Sequence, residues 1–261
     1  MAKSRVLVVG TGGIGTVCTY ALEHGGLVEV TAMTPTVADI IAPAVTPGKT
    51  AIVLAQNGLN IEIPLATRFL TNPLISSVVF TGASILPNGT ILHSDTDMQR
   101  IGPFWRPLVP APVAEEAAIR HWRKLAYNSS FTAVATVLQM DTSRIRMCQN
   151  VVEESVIPII LEIRAAAAAK GITLQEDLVD AVMTQDGAES FFKPSMLQDY
   201  GKGNLMEIEN LVGEPLREGE ALGVSMPALR LIYKLVKGLQ VTIMEEKGLW
   251  EARYQPDNAY K

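Results

Sequence analysis

The feature that most constrains the fold is an apolar run, Arg5 to Val9, that stops abruptly in a glycine-rich turn. A helical pattern, Thr16 to Leu22, follows this turn, so the sequence predicts a strand, a tight turn and a helix. Glycines at such a turn let backbone N–H groups approach a pyrophosphate at the positive end of the helix. We therefore predict that the turn binds a dinucleotide cofactor through Gly10, Thr11, Gly12, Gly13, Ile14 and Gly15.

Glycine turns also join strands to helices for packing reasons alone, which is the alternative interpretation of this motif. A second apolar strand, Val28 to Met33, follows at the spacing of a βαβ unit and favours the nucleotide site. The chain has 261 residues, enough for two modest domains. We predict a dinucleotide-binding, Rossmann-like α/β domain with a mostly parallel sheet over residues 1–116, and a helical substrate-binding and catalytic domain over residues 117–261.

Composition narrows the classes of function. A formal net charge of −5 argues against a nucleic-acid partner, and three scattered histidines and two cysteines give no metal site and no disulfide framework. Charge or proline interrupts the apolar stretches, so we expect no membrane span, and no signal peptide pattern is visible. We therefore expect a cytosolic protein with a small-molecule partner.

Polar residues follow a third predicted strand, Thr50 to Ala55. Gln56 and Asn57 would lie at the carboxyl edge of a parallel sheet, where ligands of such folds bind. The alternative is a hairpin turn at Asn57-Gly58. A later hairpin, with its turn at Pro87 to Thr90, is predicted to close the far edge of the sheet.

Helical periodicity dominates after Val113. Ser143 to Lys170 is predicted as one helical region with Ser143 as its N-cap, and Met226 to Gly248 as a long final helix. The alanine run Ala165 to Ala169 indicates a face for close helix packing. These apolar faces could serve the domain core or a homodimer, and the sequence leaves both open.

Two stretches of the helical domain carry groups suited to catalysis. Lys124 and Asn128 are four residues apart and share one helix face, and a half-buried lysine has a lowered pKa that makes it a usable proton donor. A surface lysine beside a capping asparagine is the alternative. Glu207, after a glycine-containing loop that begins near Ser195, could hold a lysine in its charged form or be a solvated acid.

Four motifs in register resemble ketopantoate reductase, in its fungal-type branch. They are the glycine turn, Gln56-Asn57-Gly58, the Trp122 to Asn128 segment, and Ser195 to Asp199 followed by Met206 to Glu209. The resemblance implies NADPH-dependent reduction of the ketone of a 2-oxo acid, ketopantoate to pantoate, in pantothenate and coenzyme A biosynthesis.

The resemblance also implies roles for individual residues. Lys124 matches the catalytic lysine, and Glu207 the glutamate that orients it and holds the substrate hydroxyl. Asn128 and Ser195 match substrate-binding positions, and Asn57 an asparagine near the nicotinamide. Thr132 stands where the family often has a second asparagine, which predicts altered substrate contacts.

The chain departs from the family in length as well. A family block after the second strand is absent between Met33 and Thr34, and a second shortfall falls near Ala117 to Ile119. No acid ends the second strand, which favours NADPH over NADH. Two alternatives stay open: a diverged member that reduces another 2-oxo acid, and a redox sensor that binds dinucleotide without catalysis.

Overall fold

A computed structural model describes residues 37–80, 82–86, 88–93, 98–104, 111–254 and 256–260. The predicted cofactor turn Gly10 to Gly15 and the Met33–Thr34 junction lie outside the described residues. The chain divides into two compact units, Met1–His121 and Trp122–Lys261. In the described part, no helix is long and apolar enough to cross a membrane, and no group of three or more histidine, cysteine or acidic side chains is arranged to hold a metal ion.

The described part of the first unit is an α/β structure. Strand β2 (Leu74–Val79) pairs in parallel with β1 (Ile52–Leu54) and antiparallel with β5 (Gln99–Pro103). Helices α1 (Val37–Ile41) and α2 (Ile63–Arg68) contribute buried apolar side chains to one core with β1 and β2. A 3-10 turn, Ala42–Ala44, follows α1. This core fixes the end of β1, from which Gln56 and Asn57 follow.

The predicted hairpin forms, but the edge position predicted for it is wrong in the described residues. Strands β3 (Ala83–Ile85) and β4 (Ile91–His93) pair only with each other, as a separate two-stranded sheet. Strand β5 takes the place beside β2, and the hydrogen bond from Phe80 N–H to Met98 C=O, at 2.7 Å, extends this pairing beyond the strand ends.

Helices are the regular secondary structure of the second unit in its described residues, which confirms the predicted fold class of an α/β unit followed by a helical one. Helix α3 (Ala111–Tyr127) contains the division between the two units, so the boundary predicted at residues 116 and 117 stays a prediction. The following helices are α4 (Ala133–Leu138), α5 (Thr142–Met147), α6 (Gln149–Val151), α7 (Ile157–Ala169), α8 (Leu178–Met183), α9 (Ser195–Gly201), α10 (Glu214–Ala221) and α11 (Pro227–Glu246).

Three π-helical segments interrupt this series. They are Asn128–Thr132, Val152–Val156 and Glu209–Gly213. A π-helical turn contains one residue more than an α-helical turn and is frequent at functional sites. The first segment begins at Asn128, one turn after Lys124, and the third begins two residues after Glu207.

The predicted N-cap at Ser143 is wrong. Helix α5 begins after Asp141, whose carboxylate accepts from Arg144 N–H at 2.9 Å. An aspartate at this position satisfies an otherwise unpaired helix donor and is as good a cap as serine. The Ser143 hydroxyl instead accepts from Phe191 N–H at 2.9 Å and ties down the loop before α9.

The alanine run does make a close helix contact. Ala166 and Ala167 are fully buried, and α7 packs against α10. A Cβ added at Gly219 of α10 would overlap Met226 Sδ and lie 3.0 Å from Ala166 Cβ. A side chain at position 219 would therefore force Met226 to shift and would crowd α7 at Ala166.

Candidate active site

Lys124 lies in the last turn of α3. Its neighbours Trp122, Leu125 and Ala126 are buried, whereas Lys124 is half-buried and Arg123 is exposed. Burial lowers the pKa of Lys124 from its ordinary value of 10.5 to about 8, and the charge of Glu207 acts in the opposite direction. The lysine is thus held in a partly desolvated position close enough to Glu207 to sense its charge.

The segment Asn128–Thr132 continues from α3 as a π-helix and is entirely buried. Asn128 is 7% exposed, and it follows Lys124 by one turn. The Ser130 hydroxyl donates to Ala126 C=O at 2.5 Å. Because such hydroxyls compete for the carbonyls of the preceding turn, they favour local departures from α-helical geometry. Thr132 Oγ1 is buried and has no hydrogen-bond partner among the described residues.

Glu207 lies in a short non-helical segment that leads into the third π-helix. Met206 N–H donates to Gln240 Oε1 of α11 at 2.7 Å, and Glu207 C=O accepts from Leu211 N–H at 3.1 Å. The backbone on both sides of Glu207 is therefore fixed, while its side chain is half-buried.

A buried hydrogen bond joins the Lys124 and Glu207 stretches. Ser129 Oγ, in the first π-helical segment, donates to Leu211 C=O in the third at 2.6 Å. Both residues are fully buried. The separation of the lysine and glutamate stretches is therefore set by a contact that excludes water.

A cluster on the surface anchors the same segment from its other side. Glu209 accepts from Lys237 Nζ at 2.8 Å, from Arg217 Nη1 at 3.0 Å, and from Tyr233 OH at 3.0 Å. These hydrogen bonds lower the pKa of the Glu209 carboxyl although burial acts to raise it. The Glu209 carboxylate therefore has a structural role, because its hydrogen bonds hold this segment to the neighbouring helices.

Ser195 is the first residue of α9, and its side chain is exposed. The buried residues Met196 and Leu197 follow it and place α9 against the π-helical segment Asn128–Thr132 and against α4. The second unit therefore brings together the elements of all five residues predicted for catalysis and substrate binding in it: Lys124, Asn128, Thr132, Ser195 and Glu207.

The predicted cofactor residues of the first unit follow β1. Gln56 and Asn57 are half-buried, and Gly58 has a φ of 116°, in the region that favours glycine. Gln56 Nε2 is buried without a hydrogen-bond partner among the described residues. A buried donor left unpaired is costly, so a polar ligand group at this edge would suit the residues present.

Sequence reasoning did not find a second buried network beside the site. Tyr127 OH donates to Asp186 Oδ2 at 2.5 Å, and Arg146 Nη1 donates to Asp186 C=O at 3.0 Å. Burial raises the pKa of the Tyr127 hydroxyl, and the charge of Asp186 adds to the shift. Asp186 is far from Tyr127 in the chain, and no motif links them.

The π-helical segment Asn128–Thr132 did have a signal in the sequence. Its polar run, Asn128-Ser129-Ser130, is unusual inside a buried helix.

Two family models cover most of the chain. "Ketopantoate reductase PanE/ApbA" matches residues 30–105, and "Ketopantoate reductase PanE/ApbA C terminal" matches residues 118–240. The chain belongs to the ketopantoate reductase family. Membership confirms the predicted enzyme class, an oxidoreductase of the 2-dehydropantoate 2-reductase type that uses a nicotinamide dinucleotide.

The individual relatives of the chain are distant in sequence. The chain is 28% identical over 248 residues to "Uncharacterized protein YDL144C" of Saccharomyces cerevisiae, with 82% of this chain and 69% of the yeast protein covered. It is 22% identical over 219 residues to a 2-dehydropantoate 2-reductase of Nostoc, with 76% of this chain and 68% of that protein covered. The yeast relative accords with the fungal-type branch.

A solved ketopantoate reductase structure has the same fold. The crystal structure of 2-dehydropantoate 2-reductase from Methylococcus capsulatus superposes with a TM-score of 0.76 at 26% identity, covering 92% of this chain and 98% of that one.

The alignment with the yeast protein also shows a difference in chain length. Since 82% of 261 residues is fewer than 248, the yeast protein has residues in the aligned region that this chain lacks.

Proposed function

We propose that this protein reduces the ketone of a 2-oxo acid with NADPH, and that ketopantoate is its substrate and pantoate its product. The observation that carries the proposal is the half-buried Lys124, with its lowered pKa, beside the carboxylate of Glu207. Family membership supports the reaction class. The sequence features that favour ketopantoate and NADPH are the four motifs and the lack of an acid after the second strand.

Lys124 is the general acid of this reaction. NADPH, when bound, supplies a hydride to the carbonyl carbon, and negative charge then develops on the carbonyl oxygen. The Lys124 ammonium stabilises that charge and transfers its proton to the oxygen, which gives the hydroxyl of the product and a neutral amine. The amine then takes up a proton from solvent before the next turnover.

The pKa of Lys124 suits this role. A pKa of about 8 leaves the lysine mostly protonated near neutral pH, yet makes it a better proton donor than an ordinary lysine. Glu207 favours the charged form and limits the fall caused by burial. Its carboxylate also provides an acceptor for the hydroxyl of the product.

Asn128, Thr132 and Ser195 form the substrate-binding set in this proposal. The Asn128 amide and the Ser195 hydroxyl supply donors for the oxygens of a 2-oxo acid. Gly10 to Gly15 bind the cofactor pyrophosphate, and Gln56 and Asn57 bind the nicotinamide half. The unpaired Nε2 of Gln56 supports this assignment.

A different 2-oxo acid is the second candidate substrate. Thr132 has a buried hydroxyl without a partner among the described residues, at a position where the family often has an asparagine. A threonine is smaller than an asparagine and offers one donor instead of two, which alters what the pocket can accept.

The test is NADPH oxidation, followed by absorbance, with ketopantoate and a panel of 2-oxo acids that differ in the size of the side chain. We expect ketopantoate to give the highest kcat/KM, and NADH to support a lower rate than NADPH. A clear preference for another oxo acid would move the protein to the second candidate. Dinucleotide binding without turnover on any oxo acid would contradict the proposal and favour a redox sensor.

A further inference from the structure

We infer that Ser129 is a positioning residue that fixes Glu207 beside Lys124 through its hydrogen bond to Leu211. The inference rests on the proposed function, because it concerns the geometry of the same acid. Ser129 has no place in the four motifs. It is identified by the contact that its hydroxyl makes across two π-helical segments.

The contact runs from Ser129 to Glu207 through one residue. Ser129 Oγ donates to Leu211 C=O at 2.6 Å, and Leu211 N–H donates to Glu207 C=O at 3.1 Å. Both polar groups of the Leu211 backbone are therefore used, one toward each stretch of the site. Ser129 itself follows Lys124 and Asn128 in one continuous helix.

The sequence around Leu211 explains why its carbonyl is open to a side-chain donor. In an α-helix the carbonyl of Leu211 would accept from the N–H of the residue four positions on, which is Pro215. Proline has no N–H, so this α-helical partner does not exist for Leu211, which lies in a π-helical segment. Leu211 is fully buried, and a buried carbonyl must find a partner within the protein. The Ser129 hydroxyl supplies it.

A change in the position of Glu207 should be measurable as a change in the pKa of Lys124. Among the described residues, Glu207 is the charged group that raises the pKa of Lys124 against the effect of burial. Arg123, beside Lys124 on α3, is exposed, and Glu209 is hydrogen-bonded to Arg217, Tyr233 and Lys237. If the Ser129 contact is removed, the Leu211 end of the Glu207 stretch loses its tie to the helix of Lys124, Glu207 is held less closely to the lysine, and the pKa of Lys124 falls.

Ser130 offers a matched control. It is adjacent, also fully buried, and its hydroxyl bonds to Ala126 C=O within its own helix rather than to the Glu207 stretch. Ser129→Ala and Ser130→Ala therefore delete the same atom from neighbouring buried sites. Glu207→Gln gives the full effect of losing the carboxylate charge.

The experiment measures two quantities in each variant. The first is the pH dependence of kcat, whose alkaline limb reports the acid in the enzyme–substrate complex. The second is the pH dependence of acetylation at Lys124, followed by mass spectrometry, which requires no turnover. We expect Ser129→Ala to shift both curves to lower pH by a few tenths of a unit, less than Glu207→Gln does. Ser130→Ala should leave both curves in place.

Each outcome decides the inference. Coincident curves for Ser129→Ala and the wild type, in a folded protein, would show that Ser129 has only a packing role. Equal shifts in Ser129→Ala and Ser130→Ala would overturn it too. Should Ser129→Ala not fold, Ser129→Cys keeps the size with a weaker donor and should give a smaller shift in the same direction. A shifted acetylation curve in a protein without oxo acid turnover would support the positioning role and refute the proposed function.

Discussion

The surroundings of Glu207 in the helical unit differ from those of Gln56 in the α/β unit. In the helical unit, Ser129 and Gln240 make buried or half-buried hydrogen bonds that fix the backbone around Glu207. In the α/β unit, Gln56 has a buried amide nitrogen with no partner among the described residues. The contrast indicates that the acid is positioned before any ligand arrives, whereas the predicted cofactor edge is completed by its ligand.

The substitution with the largest expected effect is Lys124→Ala. Turnover should fall by about 100-fold to 10,000-fold, because a positioned general acid contributes on that order. Dinucleotide affinity, which we assign to the other unit, should be unchanged when measured by fluorescence titration. Arg123→Ala removes an exposed cation next to Lys124 and is the control. Equal activity of Lys124→Ala and the wild type would remove the lysine from the mechanism.

Alkaline pH should separate catalysis from stability in the helical unit. The proton that Lys124 donates is present below its pKa of about 8 and is lost as the pH rises through that value. At about pH 10, kcat should therefore be down roughly a hundredfold. The contribution of Lys124 to stability has the opposite trend. Its pKa is lower in the folded protein than its ordinary value of 10.5, so the unfolded chain binds more protons between about 8 and 10.5.

As the pH rises from about 8 to 10.5, the contribution of Lys124 to the free energy of unfolding should therefore increase while activity is lost. Urea unfolding at several pH values, compared between the wild type and Lys124→Met, isolates this contribution. If activity is lost only where the protein unfolds, the alkaline fall in kcat is caused by unfolding and not by deprotonation of Lys124.

Gly219→Ala should loosen the packing on which the helical unit depends. The added Cβ overlaps Met226 Sδ and crowds Ala166, so the free energy of unfolding should fall by about 1–3 kcal/mol. Gly238→Ala is the control, because nothing lies within 4 Å of a Cβ added there. Alanine is the better helix former, so this exposed change should stabilise the protein by up to about 1 kcal/mol. Equal effects of the two substitutions would contradict the close approach of α7 and α10.

The smallest expected effects are on KM, and each should concern the ligand that we assign to the unit carrying the substitution. Asn128→Ala should raise KM for the oxo acid about tenfold, the loss of one good hydrogen bond of about 1.4 kcal/mol, with KM for NADPH unchanged. Asn57→Ala should raise KM for NADPH by a similar factor and alter KM for the oxo acid less. Steady-state kinetics with each substrate varied in turn provides the measurement. If both substitutions changed the same KM, the assignment of one ligand to each unit would be wrong.

The sequence predicted the order of the two fold classes and the helix that carries Lys124, since both depend on local periodicity. It did not predict the π-helical segments. Over five residues, an apolar pattern fits an α-helical and a π-helical turn equally well. Nor could it predict the hydrogen bonds of Ser129 and Tyr127, because their partners Leu211 and Asp186 are distant in the chain. The cap of α5 was missed because Asp141 and Ser143 are both good caps.

The π-helical turn at Asn128–Thr132 has a consequence for how this chain is compared with others. Such a turn amounts to one inserted residue, and one residue rotates everything after it by about 100° around the helix axis. Deleting a single residue here would leave Lys124 in place and turn the far end of the helix, including Thr136, to another side. A relative with a regular helix at this point aligns correctly only with a gap of one residue. Without that gap, each position after Thr132 is matched to the wrong face.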